Sequence, residues 1–170
     1  MITELTGLVL DRLDATVGAG ATAPLEPIAV EPMPDDWEHY RLAHPLGAAL
    51  VGFGGARYAD PESADGAVVQ RRLVELDVAL LTRSLQPPSG AAAYVEAVRL
   101  ALTGRRTGGS GPLYPKRERL AGYASGVWTY VLTYEVAVTA IEPSAEELLP
   151  LLERVTTVDG YGGTETTESE

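Results

Sequence analysis

Histidines, cysteines and facing carboxylates are the side chains that most often carry chemistry, and this sequence offers few of them. It has no Cys, which excludes disulfides, thiol nucleophiles and zinc–thiolate sites. Its two histidines, His39 and His44, are five residues apart, with Asp35 and Asp36 nearby. A helical metal pair needs a spacing of i, i+4, and Pro34 and Pro45 disfavour a helix there. They read as loop histidines without a ligand role, and neither a metal nor another cofactor is expected. A Ser-His-Asp arrangement has little to draw on, and no Gly-x-Ser-x-Gly elbow is present. Asp35-Asp36 and Glu146-Glu147 are chain neighbours, and adjacent acids point in different directions, so they read as solvated charges. No catalytic residue is assigned, and the chain is not expected to be an enzyme.

Two glycine-rich stretches have some features of phosphate loops. Gly104-Arg105-Arg106-Thr107-Gly108-Gly109-Ser110 lacks the lysine and follows an expected helix where the motif needs a strand. Gly52-Phe53-Gly54-Gly55 follows an expected strand, but no helix opens after it. Both read as turns. The basic residues around the first stretch are more informative. Arg105 and Arg106 fall at a helix end, where cations complement the macrodipole. Lys116, Arg117 and Arg119 need another reason, such as contact with phosphate or with an acidic protein surface.

Charge is unevenly spread. The net charge is −11, which does not suit a nucleic-acid or anionic-membrane binder. Residues 142–170 hold eight acids and one base, −7 of that total, whereas residues 99–119 carry +5. An acidic tail and a basic connector can attract one another, within a chain or between chains.

These residues must be held by a modest set of elements. The 170-residue length suggests one domain, and 45% hydrophobic residues can supply its core. Ile2, Leu5, Val9 and Leu13, with Leu8 beside them, make an apolar stripe over a helix of residues 2–16. Residues 25–31 read as a short edge strand punctuated by Pro24, Pro27 and Pro32. Residues 32–45 read as a polar loop, and Leu46 to Phe53 as a strand buried on both faces. After a loop over 54–66, residues 72–84 alternate, with Val74, Leu76, Val78 and Leu80 on one face.

A second helix spans about 90–103, with Ser89 as N-cap and Tyr94, Val95, Val98 and Leu102 buried. Residues 104–126 read as a long irregular connector, a kind of segment that is usually functional or disordered. The last long strand, residues 127–141, puts Tyr130, Leu132, Tyr134, Val136 and Val138 on one face. Ser144 and Glu147 form a capping box for a short helix over 145–152, and disorder is expected from Thr156 onward. The order predicts an α+β fold. About four strands form a small mixed sheet, two main helices pack on it, and a short C-terminal helix and a disordered acidic tail follow. The expected division is a domain over 1–141, the short helix over 142–155 and the tail over 156–170. Acids within the first eighteen residues exclude a signal peptide, and no apolar run reaches the roughly 20 residues of a membrane span.

Taken together, the ordered pieces resemble the tail-terminator family of Mu-like contractile phages. The pieces are the first helix (Ile2 to Leu13), Pro45-Leu46-Gly47-Ala48-Ala49-Leu50-Val51-Gly52-Phe53, and Leu76-Asp77-Val78-Ala79-Leu80-Leu81-Thr82-Arg83-Ser84. Then come Gly90-Ala91-Ala92-Ala93-Tyr94 with Glu96-Ala97-Val98-Arg99, and Trp128-Thr129-Tyr130-Val131-Leu132-Thr133-Tyr134-Glu135-Val136. The resemblance covers roughly residues 1–141. It implies a hexameric ring that caps the head-proximal end of the tail tube, ends tube and sheath polymerisation and joins the tail to the neck. A headless contractile injection particle would use the same cap.

The partners so implied are other copies of the chain, the tail tube protein, the tail sheath protein and, where a capsid is present, a neck or connector protein. DNA enters only as cargo through the lumen, no membrane is involved, and the place is a virion or tail-like particle assembled in the bacterial host cytoplasm. Arg105, Arg106, Lys116, Arg117 and Arg119 are then the candidate axial interface, and Trp128, Tyr130 and Tyr134 the candidate inter-subunit strand. The alternatives are a neck or head-completion ring and, from another class, a small soluble ligand-binding protein or enzyme.

Overall fold

A computed structural model describes residues 1–22, 24–64, 67–86, 90–106, 109–141, 155–158 and 164–167. Helix α1 (Ile2–Val17) turns Leu5, Val9, Leu13 and Val17 to one side, and all four are buried. It stops at Gly18, whose N–H reaches the carbonyls of Leu13 and Asp14, both at 3.1 Å. A Cβ there would lie 2.3 Å from the Asp14 carboxylate, so the turn needs glycine. Strand β1 (Ala29–Pro32) follows, then a segment with one short turn of 3₁₀ helix at Trp37–His39. Next come β2 (Gly47–Tyr58), β3 (Glu62–Ala64) and β4 (Ala67–Thr82). Helix α2 (Ala91–Leu102) buries Ala91, Tyr94, Val98, Ala101 and Leu102. Strands β5 (Tyr114–Ala124) and β6 (Val127–Ile141) form a hairpin.

The strand order is β1-β2-β4-β6-β5, with β3 on the far end of β4. β1 runs parallel to β2, and the other pairs are antiparallel. Alternation splits each central strand between two faces. Val74, Leu76, Val78 and Leu80 of β4, with Leu132, Tyr134, Val136 and Val138 of β6, form one core with both helices. On the opposite face Ala48, Leu50, Ala79, Leu81 and Val131 make a smaller cluster under Met33, Tyr40 and Leu42. Residues 33–42, read from sequence as a polar loop, therefore cover part of the far face. The fold is α+β with a mixed sheet and two helices on one side, as expected.

The differences share one cause. Residues 104–126 are not an irregular connector, because Tyr114–Ala124 is an edge strand. All eleven of its residues are exposed, so no apolar alternation marked it. Likewise β2 continues to Tyr58, and β3 forms at Glu62–Ala64, within residues 54–66 read as loop. β2 is buried from Gly47 to Val51 and largely exposed from Phe53 on. The pairing extends past the core, and where the core ends the sequence signal ends. In the acidic tail, Val155–Val158 (β7) and Thr164–Thr167 (β8) pair as a separate two-stranded sheet. The helix expected at 145–152, its capping box and Ser89 lie outside the described residues. Gly90 is the N-cap of α2.

Candidate functional site

The open edge of the sheet is the most distinctive surface. β5 pairs with β6 along one side and has no neighbour on the other among the described residues. Its hairpin closes through Ser125 and Gly126, with φ of 51° and 78°. Positive φ at both central residues is the two-residue turn whose twist matches paired strands. The register shifts at Pro115/Arg117 and at Leu120/Gly122, so β5 carries two bulges. Bulges, a proline and charged side chains discourage indiscriminate edge pairing. Yet Leu120 and Tyr123 are 50% and 59% exposed on the same strand. A guarded but partly apolar edge suits a specific partner.

A polar ladder ties this edge to the sheet. Glu75 of β4 stands directly opposite Glu135 of β6, a like-charge pairing that destabilises unless it is compensated. Compensation comes from the flanking strands. Arg57 of β2 lies 2.8 Å from Glu135 and 3.6 Å from Glu75. Lys116 of β5 bonds to both carboxylates, at 3.1 Å from Glu75. Tyr114 donates its hydroxyl to Glu135. Glu135 is almost fully buried. Burial pushes its carboxyl pKa up, but the bonds from Lys116 and Tyr114 and the charges of Lys116 and Arg57 outweigh it. The result lies below the ordinary carboxylate value. The same contacts raise Lys116, chiefly through its bond to Glu135. Beside the ladder, Thr133 donates to Asp77 at 2.6 Å. The bulge of β2 near Gly54 makes room for Asp77, since a Cβ there would sit 2.9 Å from its carboxylate.

The five basic residues singled out from sequence divide into three kinds. Arg105 and Arg106 lie past the end of α2, beside Glu4, Leu8, Asp11 and Arg12 of α1. Arg105 Nε also donates to the Ala101 carbonyl at 3.2 Å, closing the helix end. Lys116 is spent inside the subunit, in the ladder. Arg117 and Arg119 pair across from Thr133 and Val131, so both project from the face opposite the helices. Neither has an ion-pair partner among the described residues.

The aromatic residues divide as well. Trp128 is half-buried and stacks on Tyr123, with ring centroids 4.4 Å apart. Tyr130 is half-buried against the main core. Tyr134 is a correction: it is fully buried beneath the helices and has no surface to offer another chain. Its hydroxyl has no hydrogen-bond partner among the described residues, and burial drives its pKa far above the ordinary phenol value.

The histidines are local. His39 Nδ1 contacts Asp36 at 2.7 Å, and His44 Nδ1 accepts from the Leu46 N–H at 3.3 Å, shaping the entry to β2. No group of three or more His, Asp or Glu converges as a metal site among the described residues. Sequence reasoning missed the ladder. Glu75 and Glu135 are single acids within apolar strands, and only the register places them opposite one another.

Three comparisons with known proteins complete the description. The family model described as Gp37 protein matches residues 20–159, from just after α1 into the acidic tail. No curated protein matches the chain. Among solved structures, a chain of the virion of a native gene transfer agent (GTA) particle is similar to it. That chain shares 19% identity at a TM-score of 0.48, over 78% of this chain and 92% of its own length.

Proposed function

Because the chain belongs to the Gp37 protein family, we propose that it is a non-enzymatic structural protein of a phage-like virion. Its role is that of a ring subunit, six to a ring, at the head-proximal end of a contractile tail tube. There it ends polymerisation of tube and sheath and joins the tail to the neck. The observation that carries this reading is β5, a strand of eleven exposed residues on an open sheet edge. A subunit that closes a ring needs a surface that meets a different surface on the next copy. An open strand edge meets such a need through main-chain hydrogen bonds, with side chains supplying the choice of partner.

In this reading Trp128, stacked on Tyr123 near the hairpin turn, lies at the subunit contact. Arg105, Arg106, Arg117 and Arg119 form the axial interface toward tube, sheath or neck protein. Lys116 holds β5 in place from within. The ladder of Glu75, Glu135, Arg57 and Lys116 fixes where the edge sits relative to the helical layer.

Deleting the gene and measuring tail lengths by electron microscopy tests the role. Overlong tubes establish a terminator. Tails of normal length beside unattached heads move the ring to the neck. Wholly normal particles overturn the structural role.

A further inference from the structure

We infer that the outer side of α1 is a docking surface for a second copy of this chain, and that the free protein pairs through it about a two-fold axis. The inference does not rest on the proposed ring. It concerns the protein in solution, where Arg105 and Arg106 have no axial partner to meet.

Three observations meet here. The first is a glycine with no use inside the subunit. Gly7 lies in the interior of α1, where glycine is less stable than alanine. A Cβ at this position would meet nothing within 4 Å, so no packing within the subunit calls for its absence. Its backbone is helical, so no left-handed conformation calls for it either. A bare Cα also lets another backbone approach closely, and that use remains. The second is the surface around it. Glu4, Leu8, Asp11 and Ala15 recur at i, i+4, i+7 and i+11, the spacing of a helix–helix seam. They lie on the side of α1 turned away from the buried Leu5, Val9 and Leu13. With Gly7 they line an open groove of about 650 Å³. Past Ala15 the surface continues to Leu100 of α2, which is 63% exposed.

The third is charge. The groove has acids on α1, Glu4 and Asp11, and arginines beyond the end of α2, Arg105 and Arg106. All four are exposed. Among the described residues Asp11, Arg105 and Arg106 have no ion pair, and Glu4 pairs with the amino group of Met1. A partner of one charge sign would meet like charges on one side of this groove. A second copy carries both signs. Such a patch is self-complementary, because a two-fold axis makes each contact twice with the roles exchanged. An axis near Leu8 sets Leu8 against Leu8 of the other copy and passes the second α1 across Gly7. It offers Glu4 and Asp11 of each copy to Arg105 and Arg106 of the other. This pairing and an axial contact through the same arginines exclude one another.

Sedimentation velocity of the full chain, from micromolar to millimolar concentration, tests the inference. The wild type should pass from monomer to dimer. Gly7→Leu should remain monomeric where the wild type pairs, while its thermal midpoint at high dilution is no lower than the wild type's. Glu4→Arg with Asp11→Arg makes the patch basic, and Arg105→Glu with Arg106→Glu makes it predominantly acidic. Each of these double variants alone should pair at least about tenfold more weakly, because like charges then face one another. An equimolar mixture of the two should regain the dimer, since each supplies the charge the other lacks. Arg105 also closes the end of α2. Should its variant lose its far-UV circular dichroism, Gly7→Leu decides the matter. A wild type that stays monomeric throughout overturns the inference, as does a mixture of the two folded variants that fails to pair. A dimer that Gly7→Leu leaves intact also overturns it and assigns the pairing to another surface.

Discussion

Glu135 is the residue on which the far face depends. It is buried, it faces Glu75 across the strand pair, and it accepts from Tyr114 and Lys116 while pairing with Arg57. Glu135→Gln removes the charge and leaves two cations facing a single carboxylate. Bonds to charged groups contribute about 1.5–3 kcal/mol, so the urea midpoint should fall by a corresponding amount at neutral pH. The pH dependence has a definite sign. The folded-state pKa of Glu135 lies below its ordinary value. Its stabilisation is thus present above the ordinary carboxylate pKa and lost as pH falls through the lowered one. Urea midpoints of wild type and Glu135→Gln should converge on acidification. A gap that stays constant down to the acid limit would show that the carboxylate is not held by the ladder. The ladder also changes which charge reversals test the surface. Reversing Lys116 would place a third acid beside Glu75 and Glu135 and weaken the fold itself. Arg117 and Arg119, exposed and without ion pairs among the described residues, report on partners instead.

The β5–β6 hairpin is the element that creates the edge, and its turn depends on backbone chemistry. Gly126 has φ of 78°, and a Cβ there meets nothing within 4 Å. The cost of Gly126→Ala is therefore purely conformational, about 1–2 kcal/mol, and should show as a lower urea midpoint. Ser125 already bears a positive φ of 51° with a side chain. Ser125→Gly should stabilise the hairpin by a few tenths of a kcal/mol to about 1, and a loss of stability would refute the turn assignment. The helical layer depends on packing rather than backbone. Leu13 is wholly buried between α1 and the sheet, and Leu13→Ala should cost about 2–5 kcal/mol. Leucine at that position fills the core, whereas glycine at 126 permits a shape.

The whole molecule is a sheet with its main core on one face and an exposed eleven-residue strand, β5, along one edge. The helices cover one face, residues 33–42 cover part of the other, and β5 lies outside both. Leu120 is half exposed on that edge, so Leu120→Lys should change stability by no more than about 0.5 kcal/mol. In the proposed ring the same change should disturb assembly. Native mass spectrometry of the variant, beside far-UV circular dichroism, separates the two effects. A variant that assembles as well as wild type would remove β5 from the subunit contact.

Much of this architecture is legible in the residues themselves. The stripe of Leu5, Val9 and Leu13, the alternation of Val74 to Leu80 and that of Tyr130 to Val138 mark the first helix, the two central strands and the α+β class. Burial of one face imposes a period that the sequence must carry. The edge strand is not legible, because a strand exposed on both faces has no such period to obey, and Tyr114–Ala124 accordingly reads as loop. Nor is the ladder, because Glu75 and Glu135 are sixty residues apart in the chain. Only antiparallel register brings them face to face and calls for Arg57 and Lys116. The sequence by itself determined what is buried, since hydrophobicity and spacing are local properties. Tertiary structure alone decided which edge stays open and which charges are used up within the subunit, since both depend on what lies beside a residue rather than what precedes it.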